Sequence, residues 1–412
     1  MDGGFYFDDP FLHNLMTARA STPVESVYVH VPFCAKKCEY CAFYSEPSTG
    51  ALIDRYVRAL EREMEIAAPR IGPRTVFFGG GTPSLLNLSQ WEQVFGTMDR
   101  LGLIGAEEWT VECNPATVSL DKARLLRERG VNRISMGVQS LDEGLLDRLG
   151  RVHSREMVFR SFDVLRKAGF DNINIDLMFA IPGQSMAVWN ETLTEATAME
   201  SEHLSCYEVI YEEDTPLFHQ LKAGQFDVDE ELACAMYEAL QSAAEKAGFV
   251  QYEIANFARR TSGERDRPGH EFTPQRACRH NVNYWRGGSF YGLGPSATGY
   301  VDGIRWKNCA NTERYCEALE SGAAGLDFRE QLPAQSRSGE TAAFGLRMVR
   351  GWDFEEFQRI TGEALHDQWA NEIDALCDRG WGTRTGRGFR LTPQGLRFAD
   401  TAAEMFLRPA TV

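Results

Sequence analysis

Six runs rich in β-branched and aromatic residues, each bounded by Gly, Pro or Asn, alternate with amphipathic helical patterns over the first half of the chain. The spacing predicts strands at 26–31, 75–78, 108–112, 132–138, 172–179 and 203–210. The clearest helix, 51–68, repeats Leu52, Tyr56, Leu60 and Met64 every four residues, while Arg55, Arg58, Glu61 and Arg62 sit mostly on the other side. Further helices are expected near 89–101, 119–129, 154–168 and 186–199, with Ser119, Ser154 and Ser185 as N-caps. Every crossover is long enough for parallel pairing, so the chain should build an α/β barrel or a doubly wound sheet. Six units fall short of the eight that close a full barrel.

A chain of 412 residues exceeds the roughly 250–300 at which one core stops growing, so at least one smaller unit should follow. A further helix is expected at 229–247, then a Gly, Arg and Pro-rich loop at 259–276 holding Asp266, Arg267 and His270. The stretch 278–308 is dense in Gly, Tyr and Trp and reads as short strands and turns. After Pro333, helices near 338–348, 353–361 and 364–378, a Gly-rich hairpin and a last helix make a winged-helix-like unit. The division expected is an extension at 1–25, a barrel at 26–211, a barrel extension at 212–332 and a winged-helix-like domain at 333–412.

The net charge of −16 opposes attraction to phosphate backbones, so no nucleic-acid partner is expected even for a winged helix. No apolar run reaches the roughly 18 residues of a spanning helix, and the acidic start, Met1-Asp-Gly-Gly-Phe-Tyr-Phe-Asp-Asp, does not read as a signal peptide. A cytoplasmic protein is expected.

Of the 10 cysteines, Cys34, Cys38 and Cys41 cluster directly after the first strand with the spacing Cys-x3-Cys-x2-Cys. Three thiolates on one tight loop can hold three irons of a 4Fe-4S cubane and leave the fourth iron open for chemistry. Zinc wants four ligands, and would have to recruit a distant Cys278 or His280. The ends of the following strands carry Gly79-Gly80-Gly81-Thr82, Glu112, Gln139 and Asp176. A barrel places its working residues at these ends, and glycines there let a ligand reach the backbone. Arg151 adds a guanidinium able to hold a carboxylate bidentately.

The cysteine spacing on that loop resembles the radical S-adenosylmethionine (SAM) superfamily, which implies a partial (β/α)6 TIM-like barrel with a C-terminal α+β extension. It also implies that the SAM amino and carboxylate groups chelate the open iron, and that an electron from the cluster cleaves the sulfonium to a 5′-deoxyadenosyl radical. By that resemblance Gly80, Gly81 and Thr82 hold the methionine amino group. Glu112, Gln139, Arg151 and Asp176 contact its carboxylate and ribose, Tyr28 and His30 line the site, and Tyr40 packs near the adenine. Longer stretches, among them Phe77-Phe-Gly-Gly-Gly-Thr-Pro-Ser, Arg133-Ile-Ser-Met-Gly-Val-Gln-Ser and Asn174-Ile-Asp-Leu-Met-Phe-Ala-Ile-Pro-Gly, are similar to oxygen-independent coproporphyrinogen III oxidase and its relatives.

Two markers separate the branches of that family. The oxidase has a fourth cysteine two positions after the third, where this chain has Phe43; the heme chaperones have phenylalanine there and a His-Asn-x-x-Tyr-Trp motif, read here as His280-Asn281-Val-Asn-Tyr284-Trp285. A neutral His280 imidazole can ligate heme iron and Tyr284 and Trp285 offer flat faces to a porphyrin; equally, His280 can bond a turn and the aromatics fill a core. Cys278 is a rival ligand. Where the family usually reads Gly-x-Gly-Ala-His-Ser-Tyr, this chain has Gly294-Pro-Ser-Ala-Thr298-Gly-Tyr300. The resemblance implies heme transfer to an apo-hemoprotein, with oxidative decarboxylation of coproporphyrinogen III as the enzymatic alternative. A monomer or homodimer is expected, with a flavodoxin or ferredoxin as electron donor if SAM is cleaved. An acidic protein needs local cations for heme propionates, and Arg279, Arg286 or Arg305 are expected to supply them.

Overall fold

Apolar and polar residues alternate within each of the six strands, and the computed structural model, which describes residues 22–47, 49–264 and 268–408, turns that alternation into two faces. β1 (Val24–Val31), β2 (Ile71–Gly80), β3 (Glu108–Cys113), β4 (Arg133–Gln139), β5 (Ile173–Phe179) and β6 (His203–Glu208) pair in sequence, all parallel. Val29, Val76, Phe78, Trp109, Val111, Ile134, Ile175 and Leu204 are buried on the helix-packed face. Their alternates, among them His30, Glu112, Ser135, Asn174, Asp176 and Ser205, line a central cavity. Parallel strands are usually apolar on both faces, so a polar inner face marks a sheet wrapped around something other than a core.

The crossovers are α1 (Gly50–Ala67), α2 (Leu88–Arg100), α3 (Leu120–Glu128), α4 (Glu143–Arg148) with α5 (Arg155–Lys167), and α6 (Met186–Ala198). α1 buries Tyr56, Leu60 and Met64 on the sheet. Ser119, Ser154 and Ser185 each accept a hydrogen bond from the first turn of their helix, and Asn87 with Gln90 forms a capping box on α2. Such caps contribute about 1 kcal/mol each. α4, capped by Asp142, is a helix that the sequence reading did not contain.

After α7 (Pro216–Lys222) and α8 (Glu230–Lys246), β7 (Phe249–Gln251) and β8 (Asn256–Arg259) add antiparallel to the β6 edge. The loop that follows is described except for 265–267, so Asp266 and Arg267 lie outside the described residues, as do 1–21 of the expected extension. β1 itself begins at Val24, two residues inside that extension.

The expectation of strands and turns from 278 is corrected at its start: 279–285 forms α9 (Arg279–Trp285). Its first turn is held by the Glu108 carboxylate, which accepts from the backbone N–H of Arg279 (2.9 Å) and His280 (3.0 Å). That partner lies 172 positions away and no local pattern announces it. β9 (Tyr291–Leu293) then pairs parallel with β1, giving the strand order β7-β8-β6-β5-β4-β3-β2-β1-β9.

β10 (Thr298–Val301), β11 (Ile304–Asn308) and, after α10 (Thr312–Glu320), β12 (Leu326–Gln331) form an antiparallel sheet beside the cavity. α11 (Ala334–Gly345), β13 (Trp352–Asp353), α12 (Phe354–Thr361), α13 (Leu365–Gln368), α14 (Ala370–Asp378), β14 (Gly382–Arg384) and β15 (Gly388–Leu391) make the winged-helix-like unit. The helix expected at 364–378 is broken at Trp369. This unit has its own core, built on Trp352, Phe357, Trp369, Ile373, Phe389 and Phe406. Among the described residues no helix is long and apolar enough to cross a membrane.

A buried carboxylate pins the extension to the barrel. Glu63 of α1 accepts from Tyr315 Oη (2.6 Å), the Gly294 N–H (2.7 Å) and Asn308 Nδ2 (2.7 Å). Glu63→Leu leaves the Tyr315 hydroxyl and the Gly294 N–H unpaired and Asn308 Nδ2 with only the Gly294 carbonyl (2.9 Å), so stability should fall by on the order of 3 kcal/mol, read as a lower urea midpoint. An unchanged midpoint would show that the three donors find other partners.

Candidate functional site

The cysteine loop is suspended from the β1–β2 pair. Beyond the strand ends the pairing continues, with Gly81 N–H donating to Val31 O (2.8 Å) and Thr82 N–H to Phe33 O (2.8 Å). A Cβ at Gly81 would meet Val31 O at 2.6 Å and Phe33 O at 2.7 Å, so only glycine permits this approach. Glu46 N–H to Pro32 O (2.8 Å) and Cys34 N–H to Glu46 O (3.2 Å) close the loop at its base. Cys34, Cys38 and Cys41 are free thiols, half-buried, and all three face the cavity. Cys34 Sγ lies 3.6 Å from Thr82 Oγ1, and Arg151 donates to Cys38 Sγ (3.3 Å) and to Gly137 O (2.7 Å). Burial pushes the Cys41 thiol up.

At the strand ends the polar groups converge. His30 Nε2 donates to Tyr44 O (2.8 Å), a carbonyl that can only accept, so Nδ1 takes the hydrogen bond from Tyr28 Oη (3.1 Å). Burial lowers the His30 pKa to about 4 and the ring is neutral. Gly80, at φ +100°, lies under this ring, and its N–H donates to Glu112 Oε2 (3.2 Å). Burial, followed by the charge of Asp176, pushes Glu112 up to about 8. Asp176 accepts from Ser135 Oγ (3.0 Å) and Asn174 Nδ2 (2.7 Å), and burial raises it too. Gln139, at a bulge in β4, holds the left-handed φ of +67°, which no side chain adopts without cost. Tyr40 packs on the apolar cluster of Leu145, Leu149, Met178, Ile181, Val209 and Leu217.

α9 forms the far wall. The His280 ring stacks on Phe77 (5.3 Å), its Nδ1 is 3.0 Å from Thr75 Oγ1 and its Nε2 is 2.8 Å from Tyr284 Oη. Both ring nitrogens are therefore engaged, and burial with Arg133 nearby lowers the pKa to about 3. Tyr284 sits edge-on to Phe290 at 4.5 Å, and Arg347 covers Trp285 at 4.7 Å. Asn281 also faces the cavity. Cys278 does not: it is buried against Glu108, and burial pushes its thiol up to about 12.

The residues singled out in the sequence for the cluster and for SAM, together with His280, Asn281, Tyr284 and Trp285 for heme, line one cavity of about 1030 Å³. Tyr44, Phe77, Ser135, Asn174, Ser205, Phe290, Lys307 and Arg337 line it as well and were not singled out. The polar alternates within the strands could have revealed Ser135, Asn174 and Ser205. Of the three arginines expected for propionates, two lie elsewhere. Arg279 is exposed and paired with Glu107, and Arg286 is buried between the Trp352 ring (4.5 Å) and Gly351 O (2.9 Å). Arg305 faces the cavity but is committed to Glu330 and Glu340.

The profile of the Radical SAM superfamily matches residues 28–196, and that of the HemN C-terminal domain matches 332–398. The heme chaperone HemW of Bacillus subtilis is 31% identical over 93% of this chain and 99% of its own length. HemW of Escherichia coli is 30% identical over 93% and 98% of the two chains. The chain belongs to the HemW family of radical SAM proteins. A mitochondrial radical S-adenosyl methionine domain-containing protein 1 of Danio rerio is 32% identical over 91% of this chain and 85% of its own. The solved structure of coproporphyrinogen III oxidase (HemN) from Escherichia coli superposes with a TM-score of 0.80 at 21% identity, covering 96% of this chain and 92% of that one. At that identity the likeness speaks to the fold.

The family implies a 4Fe-4S cluster and SAM, and the donor set fits them. Three thiols enter one cavity from one loop, and the neighbour at Cys38 is the Arg151 guanidinium rather than a fourth ligand. Cys278 and His280, the ligands a zinc site would need, are engaged with Glu108 and Thr75 near the opposite ends of the strands.

Gly80→Ala drives a methyl into the His30 ring at a strained φ, whereas Gly183, at φ +87°, has open surroundings. Gly80→Ala should therefore abolish cluster incorporation, read as iron and sulfide content, while Gly183→Ala costs only the roughly 1 kcal/mol of its backbone strain. Equal iron content in both variants would show that the loop does not depend on this packing.

Proposed function

We propose that this protein binds heme beside a SAM-loaded cluster and passes it to apo-hemoproteins, as its HemW relatives are named for. The observation that carries this reading is that the cysteine loop and the His280-Asn281-x-x-Tyr284-Trp285 helix face one cavity, large enough for a nucleoside and a tetrapyrrole together. Phe43 stands on its rim with 69% of its surface exposed, offering a flat apolar face where a fourth cysteine would be polar and reactive.

In this reading Cys34, Cys38 and Cys41 hold the cluster. Gly80, Gly81 and Thr82 receive the methionine ammonium, Gln139 and Arg151 its carboxylate, Glu112 and Asp176 the ribose and Tyr40 the adenine, with Tyr28 and His30 as the back wall; an ammonium at Gly80 lies beside Glu112, whose carboxylate accepts from the Gly80 N–H. When bound, the cluster supplies an open iron and an electron to the SAM sulfonium. Tyr284 and Trp285 give the tetrapyrrole apolar contact and Asn281 a polar one. His280 can ligate iron once Nε2 exchanges the Tyr284 hydroxyl for the metal; with a pKa near 3, no proton competes for that nitrogen at neutral pH.

Anaerobic reconstitution followed by parallel assays tests this. Heme should be bound with a Soret shift and donated to an apo-hemoprotein in the cytoplasm-like, reducing buffer. Protoporphyrinogen IX formed with 5′-deoxyadenosine over several turnovers would instead establish the oxidase.

The Glu112 carboxyl, near pKa 8 in the free protein, is largely protonated at pH 7. A ligand ammonium beside it favours the carboxylate, so SAM binding at pH 7 should release a proton and tighten as pH rises toward 8. Calorimetry in buffers of different ionisation enthalpy reads this directly. Glu112→Gln should remove the proton release; a wild type that releases none would show the ammonium is held elsewhere.

A further inference from the structure

The −16 charge leaves open which groups receive an anionic ligand, and the cavity wall answers it with two cations. In the β10–β11 hairpin Thr298 pairs with Lys307 and Tyr300 with Arg305, so these four side chains share the face turned to the cavity, while Trp306 is buried on the other. Arg305 is spent on Glu330 (2.6 Å) and bidentately on Glu340 (3.1 and 3.0 Å). Lys307 and Arg337 have no ion pair among the described residues. The Lys307 charge is felt at His30, so it reaches toward the strand ends. The Arg337 guanidinium abuts Gly303 at the hairpin turn, 3.0 Å from where a Cβ would stand, and its charge is felt at Tyr300.

The remaining cavity cations are otherwise placed. Arg151 is on Cys38, Arg133 is buried among the strands and Lys36 rides on the cysteine loop. Acidic groups near the pair are Glu340, already matched by Arg305, and Asp302 at the hairpin turn. Beside the two cations the wall is flat and apolar: Phe43 and Phe344 are 69% and 43% exposed at the rim, and Phe290 and Tyr300 lie 6.1 Å apart. Thr298, opposite Lys307, stands where the family pattern carries a histidine, so a second imidazole does not compete for that space.

We propose that Lys307 and Arg337 are the carboxylate-holding end of the cavity, so that a flat ligand lies with its ring on Phe43 and Phe344 and its acidic edge at these two cations. The proposal rests on the heme-binding reading above and assigns the orientation of that ligand. An exposed lysine and a half-buried arginine together favour a dicarboxylate by roughly tenfold over its neutral ester.

Binding of hemin and of hemin dimethyl ester to the anaerobically reconstituted full chain, followed by the Soret band, tests it. The wild type should bind the free acid about tenfold more tightly, and Lys307→Glu with Arg337→Glu should erase that preference while iron and sulfide content stay unchanged. Lys307→Gln and Arg337→Gln, milder changes at the same positions, should each remove part of it. Arg279→Glu, away from the cavity, should leave it intact. Equal affinity of the wild type for acid and ester, or a preference that survives both Gln variants, overturns the assignment while leaving heme binding standing. A wild type that binds neither compound overturns the functional reading as well.

Discussion

Two backbone hydrogen bonds past the end of β1, from Gly81 to Val31 and from Thr82 to Phe33, hold the cysteine loop over the glycines of β2, and the rest of the site is arranged around that contact. They exist because Gly81 has no side chain to strike the carbonyls it approaches. With the loop fixed there, Cys34 meets Thr82, Cys38 meets Arg151 and Tyr44 presents its carbonyl to His30. His30 in turn roofs Gly80, whose amide holds Glu112. A small backbone geometry thus sets the positions of a loop and a neutral imidazole from β1 and of a carboxyl from β3.

The second constraint is the polar inner face. A parallel sheet that turns Ser135, Asn174, Asp176 and Ser205 inward must satisfy them, and it does so partly through long-range partners such as His203 to Asn174 and Tyr252 to His203. Such a lining is costly unless it faces ligand or solvent. β9, added to the free edge of β1, brings the β10–β11 hairpin and α11 around the opening, so that the later half of the chain supplies the second wall of a cavity begun by the first.

Much of this was legible in the sequence. The six strands and their helices were visible because Val-x-Val and Ile-x-Ile alternation and four-residue repeats are local, and Ser119, Ser154 and Ser185 cap because the residue three positions on is within reach. The cysteine spacing located the loop. What was hidden is non-local. Glu108, distant only in sequence, makes a helix of 279–285, and Thr75 and Tyr284 occupy both nitrogens of His280. The cavity cations were misplaced for the same reason: Arg279, Arg286 and Arg305 look available in sequence, but Glu107, Gly351 and Glu340 are brought to them only by the fold. Lys307 and Arg337, unremarkable in sequence, face the cavity on the hairpin side with no ion pair among the described residues.

The central claim is that one cavity serves cluster, SAM and heme together. Anomalous diffraction at the iron edge, from crystals of the chain loaded anaerobically with cluster and heme, tests it most directly. Two iron peaks should appear on the walls of that cavity, one within the Cys34, Cys38 and Cys41 loop and one between α9 and the β10–β11 hairpin. A heme iron on the outer surface, or between two copies of the chain, would contradict it.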